Sequence, residues 1–266
     1  MASGDSTTEL TLYIAPLVNP YKLTMVAEEL GIPYTTKIID VQKGEHKSEW
    51  FTKNINANGK LPALSHKRSN GKEIVVWESG ACLQYLADQF DPEHRLSYPR
   101  DTQEYYSTVS WLSWQVSGLG PMLGQSVHFL RYAYEEDLYG IRRYVAQSRM
   151  HFSVMEAHLK DKGTPYLVGD KCTIADIACF TWVIAAWYCG ITIDEYPTVK
   201  AWRDRITARE AVQRGLDVPA PFFASDENTK DPDTKEMRVM IQKTTSEWLK
   251  ADVENWYKAP GAGYME

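Results

Sequence analysis

The chain has 266 residues, 29 basic against 35 acidic, for a formal charge of −6. That length suits one large domain or two small ones with ample core. A mildly acidic chain with no basic stripe and interleaved aromatics is a poor fit to nucleic acid.

The first nine residues are short, polar and acidic, and resemble neither a signal nor a transit peptide. "LTLYIA" (10–15) reads as a strand. "PLVNPYKL" follows, in which Asn19 is an N-cap residue and Pro20 takes the first helical position. Leu23, Val26, Ala27 and Leu30 carry that helix at helical spacing to Gly31. "YTTKIIDV" is a second strand, "EHKSEWFTKN" a short helix and "NANG" a loop. "PALSH" and "EIVVW" are two more strands joined by a turn, and "ESGACLQYLADQF" is a helix opened by Glu78 and Ser79. The order is βαβ, a helix, then ββα. A linker, "DPEHRLSYPR", occupies 91–100.

Beyond it the pattern is helical. Tyr105, Val109, Leu112 and Val116 recur at three-to-four spacing, as do Tyr144, Met155 and Leu159 in the next long run. "TIAD" (173–176) has capping-box form. It opens the most apolar stretch, "IACFTWVIAAWYCGITI" (177–193), which is short for a membrane span and holds Trp and Tyr in its middle. A buried core helix is expected there, and no membrane partner. "TVKAWRDRITARE" adds an amphipathic helix after Pro197. After Asp217 the chain turns polar and proline-broken, and Met237, Met240, Ile241, Thr244 and Trp248 would share one face of a last helix. Four cysteines, Cys82, Cys172, Cys179 and Cys189, form no CxxC pair, so buried thiols of a reducing, cytoplasmic compartment are expected. The six histidines show no HExxH spacing, which predicts no metal site.

One proline is out of place. In "NGKLPALSH" (58–66), Pro62 opens a strand, where it cannot donate to the ladder. An X-Pro bond can be cis in such a position, which turns the preceding backbone away from the sheet.

An α/β unit with that proline, followed by an all-helical half, resembles the glutathione transferase family. "GKLPAL" and "VWESGA" resemble its glutathione-binding core, and "YLVGDKCTIADIACF" resembles its second-domain helix. "VNPYK", "GEHKSEWF", "VWESGACLQYL" and "WQVSGLGPMLGQSVHF" are similar to the branch that holds the fungal nitrogen regulators and the bacterial Nu-class enzymes. The resemblance implies a thioredoxin-like domain over 8–92, an all-helical domain over 101–218 and a C-terminal extension over 219–266. It also implies a homodimer and a cis Pro62.

Glutathione carries two carboxylates, an ammonium and a thiol. Leu61, held before Pro62, would pair its backbone with the cysteinyl part. Glu78 and Ser79, at a helix start, offer a carboxylate for the ammonium and donors for the γ-glutamyl carboxylate. His46 and Lys60 are candidates for the glycine carboxylate. The resemblance gives Asn19 the thiol: its amide N–H would hydrogen-bond the thiolate while its oxygen capped the helix. An amide is no base, so Asn19 would stabilise thiolate and not abstract a proton. The resemblance also puts the electrophile pocket between the first-strand loop and the early helices of the second half. Leu17, Val18, Trp114, Met122, Gln125, His128, Phe129 and Tyr132 are its candidates, and the apolar and aromatic ones suit a bulky hydrophobic substrate.

These residues have plain structural roles as well. Asn19, Glu78 and Ser79 could only cap helices, Gln125 and His128 could serve packing, and the aromatic run 105–114 could be core. The expected function is thiolate addition of glutathione to a hydrophobic electrophile, by conjugation or by glutathione-assisted isomerisation of a fungal metabolite. Glutathione-dependent reduction of a disulfide or peroxide, and a glutathione-binding regulator on the same fold, are the alternatives.

Overall fold

A computed structural model describes residues 9–133 and 137–223. The expected helix over 237–248 and most of the extension lie outside the described residues.

The first half is built on a four-stranded sheet: β1 (Glu9–Ile14), β2 (Thr35–Ile38), β3 (Ala63–Lys67) and β4 (Glu73–Trp77), in the order β2-β1-β3-β4. β1 runs parallel to β2 and antiparallel to β3, and β4 is antiparallel to β3. Successive strand residues face opposite sides. Leu12, Ile14 and Leu64 therefore point to one face, where α1 (Tyr21–Leu30) and α3 (Ser79–Phe90) cover them. Tyr13 and Ala63 point to the other, against Ile39, Ile55 and Phe51 of α2 (Glu49–Asn54). This is the expected thioredoxin-like half. β2 is shorter than the expected strand, and all four of its residues are exposed at the sheet edge.

The second half is helical: α4 (Gln103–Trp114), α5 (Gly120–Val127), α6 (Leu138–Lys162), α7 (Ile174–Val183), α8 (Pro197–Thr207) and α9 (Glu210–Leu216). Two π-helical turns, Gln115–Leu119 and His128–Tyr132, flank α5. The capping box at Thr173 and Asp176 is present. The apolar run 177–193 is buried as expected but is not one helix. α7 ends at Val183 and a 3-10 turn, Ala186–Cys189, leads to Gly190 at φ 78°. The chain reverses there because glycine enters the left-handed region without a Cβ penalty. The amphipathic run after Pro197 likewise divides into α8 and α9 around Ala208 and Arg209.

The two halves share one core. The main buried cluster runs from Leu10 and Leu12 through Leu86 to Phe180, Trp202 and Val212. The expected linker is tied down. Asp91 accepts from the backbone N–H of Arg95 and Leu96 and from the Ser97 hydroxyl, at 2.6, 2.9 and 2.7 Å, and Arg95 donates to the Glu29 carbonyl. α9 lies directly on α1: Thr24 Oγ1 donates to the Gly215 carbonyl at 2.7 Å, and a Cβ on Gly215 would sit 2.5 Å from Met25 Cα. Gly215→Ala is therefore expected to cost about 1–3 kcal/mol, because two backbones must part; a urea titration reads the loss directly. All four cysteines are free and buried. No helix among the described residues is long and apolar enough to cross a membrane.

Candidate active site

The loop after β1 presents Leu17, exposed, then Val18 and Asn19, half-buried. α1 begins at Tyr21, with Pro20 already in helical conformation and no side-chain cap. The expected capping role of Asn19 is corrected by its partner. The Trp182 indole N–H donates to Asn19 Oδ1 at 3.1 Å. An indole nitrogen only donates, so the oxygen must face Trp182, and the amide NH2 must face the other way. The side chain is thus held as a donor by a residue of the other half. α5 backs onto the same tryptophan: a Cβ on Gly120 would lie 3.2 Å from Trp182 Nε1, and one on Gly124 would lie 3.6 Å from its ring.

The Leu61–Pro62 peptide is cis. Asn56, nearly fully buried, shapes the approach to it. Its Nδ2 donates to the Lys60 carbonyl at 2.8 Å and its Oδ1 accepts from Asn58 N at 2.9 Å. Gly59, at φ 58°, closes the turn, and a Cβ there would sit 2.8 Å from the His46 carbonyl oxygen. That close approach brings the turn holding His46 and Lys47 against the loop holding Lys60. His46 is buried, at 8% exposure, while Lys60 is exposed. Lys47, which donates to the Asn58 carbonyl at 3.4 Å, joins this group unforeseen.

Glu78 is exposed between β4 and α3, at φ 72° and ψ 123°. A non-glycine residue there is strained by about 1–3 kcal/mol. Ser79 is buried at the first position of α3, where the helix leaves N–H groups without internal partners. Behind it lies a side chain that sequence reasoning missed. Lys22 of α1 is 1% exposed, and its Nζ donates to Ser79 Oγ at 3.3 Å and to Gln115 Oε1 at 2.7 Å. Burial pulls its pKa down to about 7, against the smaller upward pull of Cys179 and Glu78.

The electrophile candidates are less united. Met122 is half-buried and Gln125 exposed on α5, with His128, Phe129 and Tyr132 in the π turn after it. Trp114 packs against Trp111 and His151, with ring centroids 5.0 and 5.2 Å away. Phe129 stacks on Tyr144 at 5.3 Å, and the hydroxyls of Tyr132 and Tyr188 meet at 3.0 Å. Packing within the helical half engages these rings. A cleft of about 290 Å³ opens elsewhere, between the start of α3 and α4, lined by Glu78, Gly80, Ala81, Leu112, Ser113 and Val116. None of the expected electrophile residues lines it. Among the described residues, no group of three or more His, Cys, Asp or Glu side chains is placed to hold a metal.

Comparison with known proteins matches both halves. The model of the glutathione S-transferase N-terminal domain matches residues 8–88, and that of the C-terminal domain matches 128–214. The glutathione S-transferase-like protein tpcF of Aspergillus fumigatus is 34% identical, over 78% of this chain and 94% of its own length. The disulfide-bond oxidoreductase YfcG of Escherichia coli is 38% identical, with the same two coverages, 78% and 94%. A crystal structure of a glutathione transferase homolog from Lodderomyces elongisporus, with two glutathione molecules per subunit, superposes with a TM-score of 0.74 at 39% identity. It covers 79% of this chain and 99% of that one. Matches to both halves in order, over nearly the full length of the relatives, make this chain a member of the glutathione S-transferase family.

Proposed function

We propose that the chain is a glutathione-dependent transferase of the Nu-like branch, adding the glutathione thiolate to a hydrophobic electrophile. The observation that carries this reading is the orientation of Asn19. With its oxygen held by Trp182, the amide offers its NH2 at the loop before α1. A free thiol has a pKa of about 8.5, so a fixed donor that favours the anion raises the reactive fraction at neutral pH. Leu61 would pair with the cysteinyl backbone, Glu78 with the ammonium and Ser79 with the γ-glutamyl carboxylate. Lys60, Lys47 and His46 would serve the glycine end. In the addition, the S–C bond forms as a leaving group departs, or as a proton reaches the adjacent carbon of a conjugated alkene.

Disulfide reduction is the second reading, favoured by the likeness to the bacterial oxidoreductase. Burial pushes Cys82, Cys172, Cys179 and Cys189 upward in pKa. They do not form thiolate at neutral pH, so such a reaction would run on glutathione sulfur alone.

Calorimetric titration with glutathione, with turnover of an aryl halide and of a mixed disulfide followed in parallel, tests both. Asn19→Ala is expected to leave glutathione affinity nearly intact and to lower turnover about tenfold or somewhat more, less than the roughly hundred- to thousandfold loss of an oxyanion-hole donor, because the thiolate is already present in the ground state. An unchanged rate would remove Asn19 from the mechanism. Absence of binding to the unaltered protein would remove the whole assignment.

A further inference from the structure

Lys22 carries a fully buried amine. Among the described residues it forms no ion pair, and its two acceptors, Ser79 Oγ and Gln115 Oε1, are neutral. Glu28 and Glu29, farther along the same helix, are already paired with Arg214 and Arg209 of α9. The titratable groups whose charge bears on Lys22 are Glu78 at the start of α3 and Cys179 on α7. Asp176, also on α7, bears on Cys179, and Asp217 on the adjacent Tyr21. Burying an unpaired charge is costly, and a protein keeps one where something compensates for it.

The hydrogen-bond directions indicate what compensates. When charged, the Lys22 ammonium only donates, so Ser79 Oγ then accepts from it and the serine's own proton is free for another acceptor. A ligand at the α3 N-terminus, where backbone N–H groups lack internal partners, can take that proton. We propose that Lys22 is a positioning residue for the glutathione site: charged as the ligand arrives, it turns the Ser79 hydroxyl outward as a donor and places a positive charge behind it for the γ-glutamyl carboxylate. Through Gln115 the same ammonium ties that subsite to the π turn that leads into α5. A Cβ on Gly120 would lie 2.7 Å from Gln115 Nε2 and 3.2 Å from Trp182 Nε1. One chain of contacts thus runs from Ser79 through Lys22, Gln115, Gly120 and Trp182 to Asn19, between the carboxylate subsite and the thiol subsite. The inference rests on the glutathione reading above.

An arriving carboxylate favours the charged form of Lys22, so binding must take up protons wherever the free lysine is partly neutral. With the free group lowered to about 7, binding at about pH 7.5 should take up a measurable fraction of a proton, and the uptake should shrink as pH falls. S-methylglutathione is the probe, since it has no thiol to titrate. Titration calorimetry in two buffers of different ionisation enthalpy reads the uptake. In Lys22→Met the uptake is expected to vanish and affinity to fall about tenfold, while the ligand-free melting temperature holds or rises, because a buried charge has been replaced by an apolar chain of similar length. A merely structural lysine would lower the melting temperature and leave proton uptake alone. Equal affinity and uptake in the two proteins would overturn the inference and leave the glutathione reading standing. No binding by the unaltered protein would overturn both. Should Lys22→Met fail to fold, Gln115→Leu asks the same question from outside the ligand contacts: uptake and affinity should both change, and unchanged values refute the role.

Discussion

Glu78→Gly is expected to make the protein more stable and unable to hold glutathione. The backbone at this residue sits at φ 72°, ψ 123°, where a side chain is strained by about 1–3 kcal/mol. Glycine relieves that strain and returns up to about 1 kcal/mol as added freedom of the unfolded chain, so a net gain of about 1 kcal/mol should appear in urea unfolding. The carboxylate is exposed, so its loss breaks no core contact. It is, however, the group assigned to the ammonium of the ligand. Removing one partner of a charge-assisted pair costs about 3 kcal/mol, a hundredfold or more in affinity. Glu78→Gln separates the two effects: binding should fall nearly as far, with no gain in stability. A glycine variant that is less stable and still binds would show that the strained backbone serves only the chain reversal.

Asp176→Ala is expected to produce the largest loss of stability. Its side chain is fully buried, and both oxygens are used. Oδ1 accepts from Leu167 N at 2.9 Å and from Trp202 Nε1 at 2.8 Å, and Oδ2 from Thr173 N and Thr173 Oγ1, both at 2.9 Å. The residue therefore caps α7 and also joins it to α8 and to the segment before it. Alanine strands these donors in the core, each at about 1–3 kcal/mol. A total of about 3–5 kcal/mol, a large part of an ordinary domain's stability, should be lost. Burial raises this carboxyl's pKa despite the four donors. A raised folded pKa contributes stability below the unfolded value and loses it as pH rises, so the charge itself is not what holds the fold. The acceptor lone pairs are. Asp176→Asn should accordingly lose about half as much, because whichever way the amide turns, its NH2 faces two donors. Equal stability of all three proteins in urea would refute this account.

Much of this was legible in the chain. The strands could be placed as short apolar runs between turns, and Thr173 with Asp176 marked the start of α7, because each depends on residues close together in the chain. The resemblance supplied the cis Pro62. One reading failed where a distant partner intervened. Asn19 was read as a helix cap, but Trp182, 163 residues away, holds its oxygen. Trp114 and Phe129, candidates for the electrophile pocket, pack against aromatic neighbours on α4 and α6. The sequence does not single out Lys22. Nothing near it in the chain signals that Ser79 and Gln115, 57 and 93 residues on, enclose it.

The division has a physical cause. The amino-acid sequence by itself determined the local elements, the order of an α/β half and a helical half, and the residue types available for a thiol-peptide ligand, since propensity, capping and periodicity act over a few residues. Only the tertiary structure decided which atoms of those residues are free to act. A side chain's direction is set by the partners that satisfy its other hydrogen-bonding groups. For Asn19 and Lys22 those partners include Trp182 and Gln115, which meet them only when the two halves close on one core.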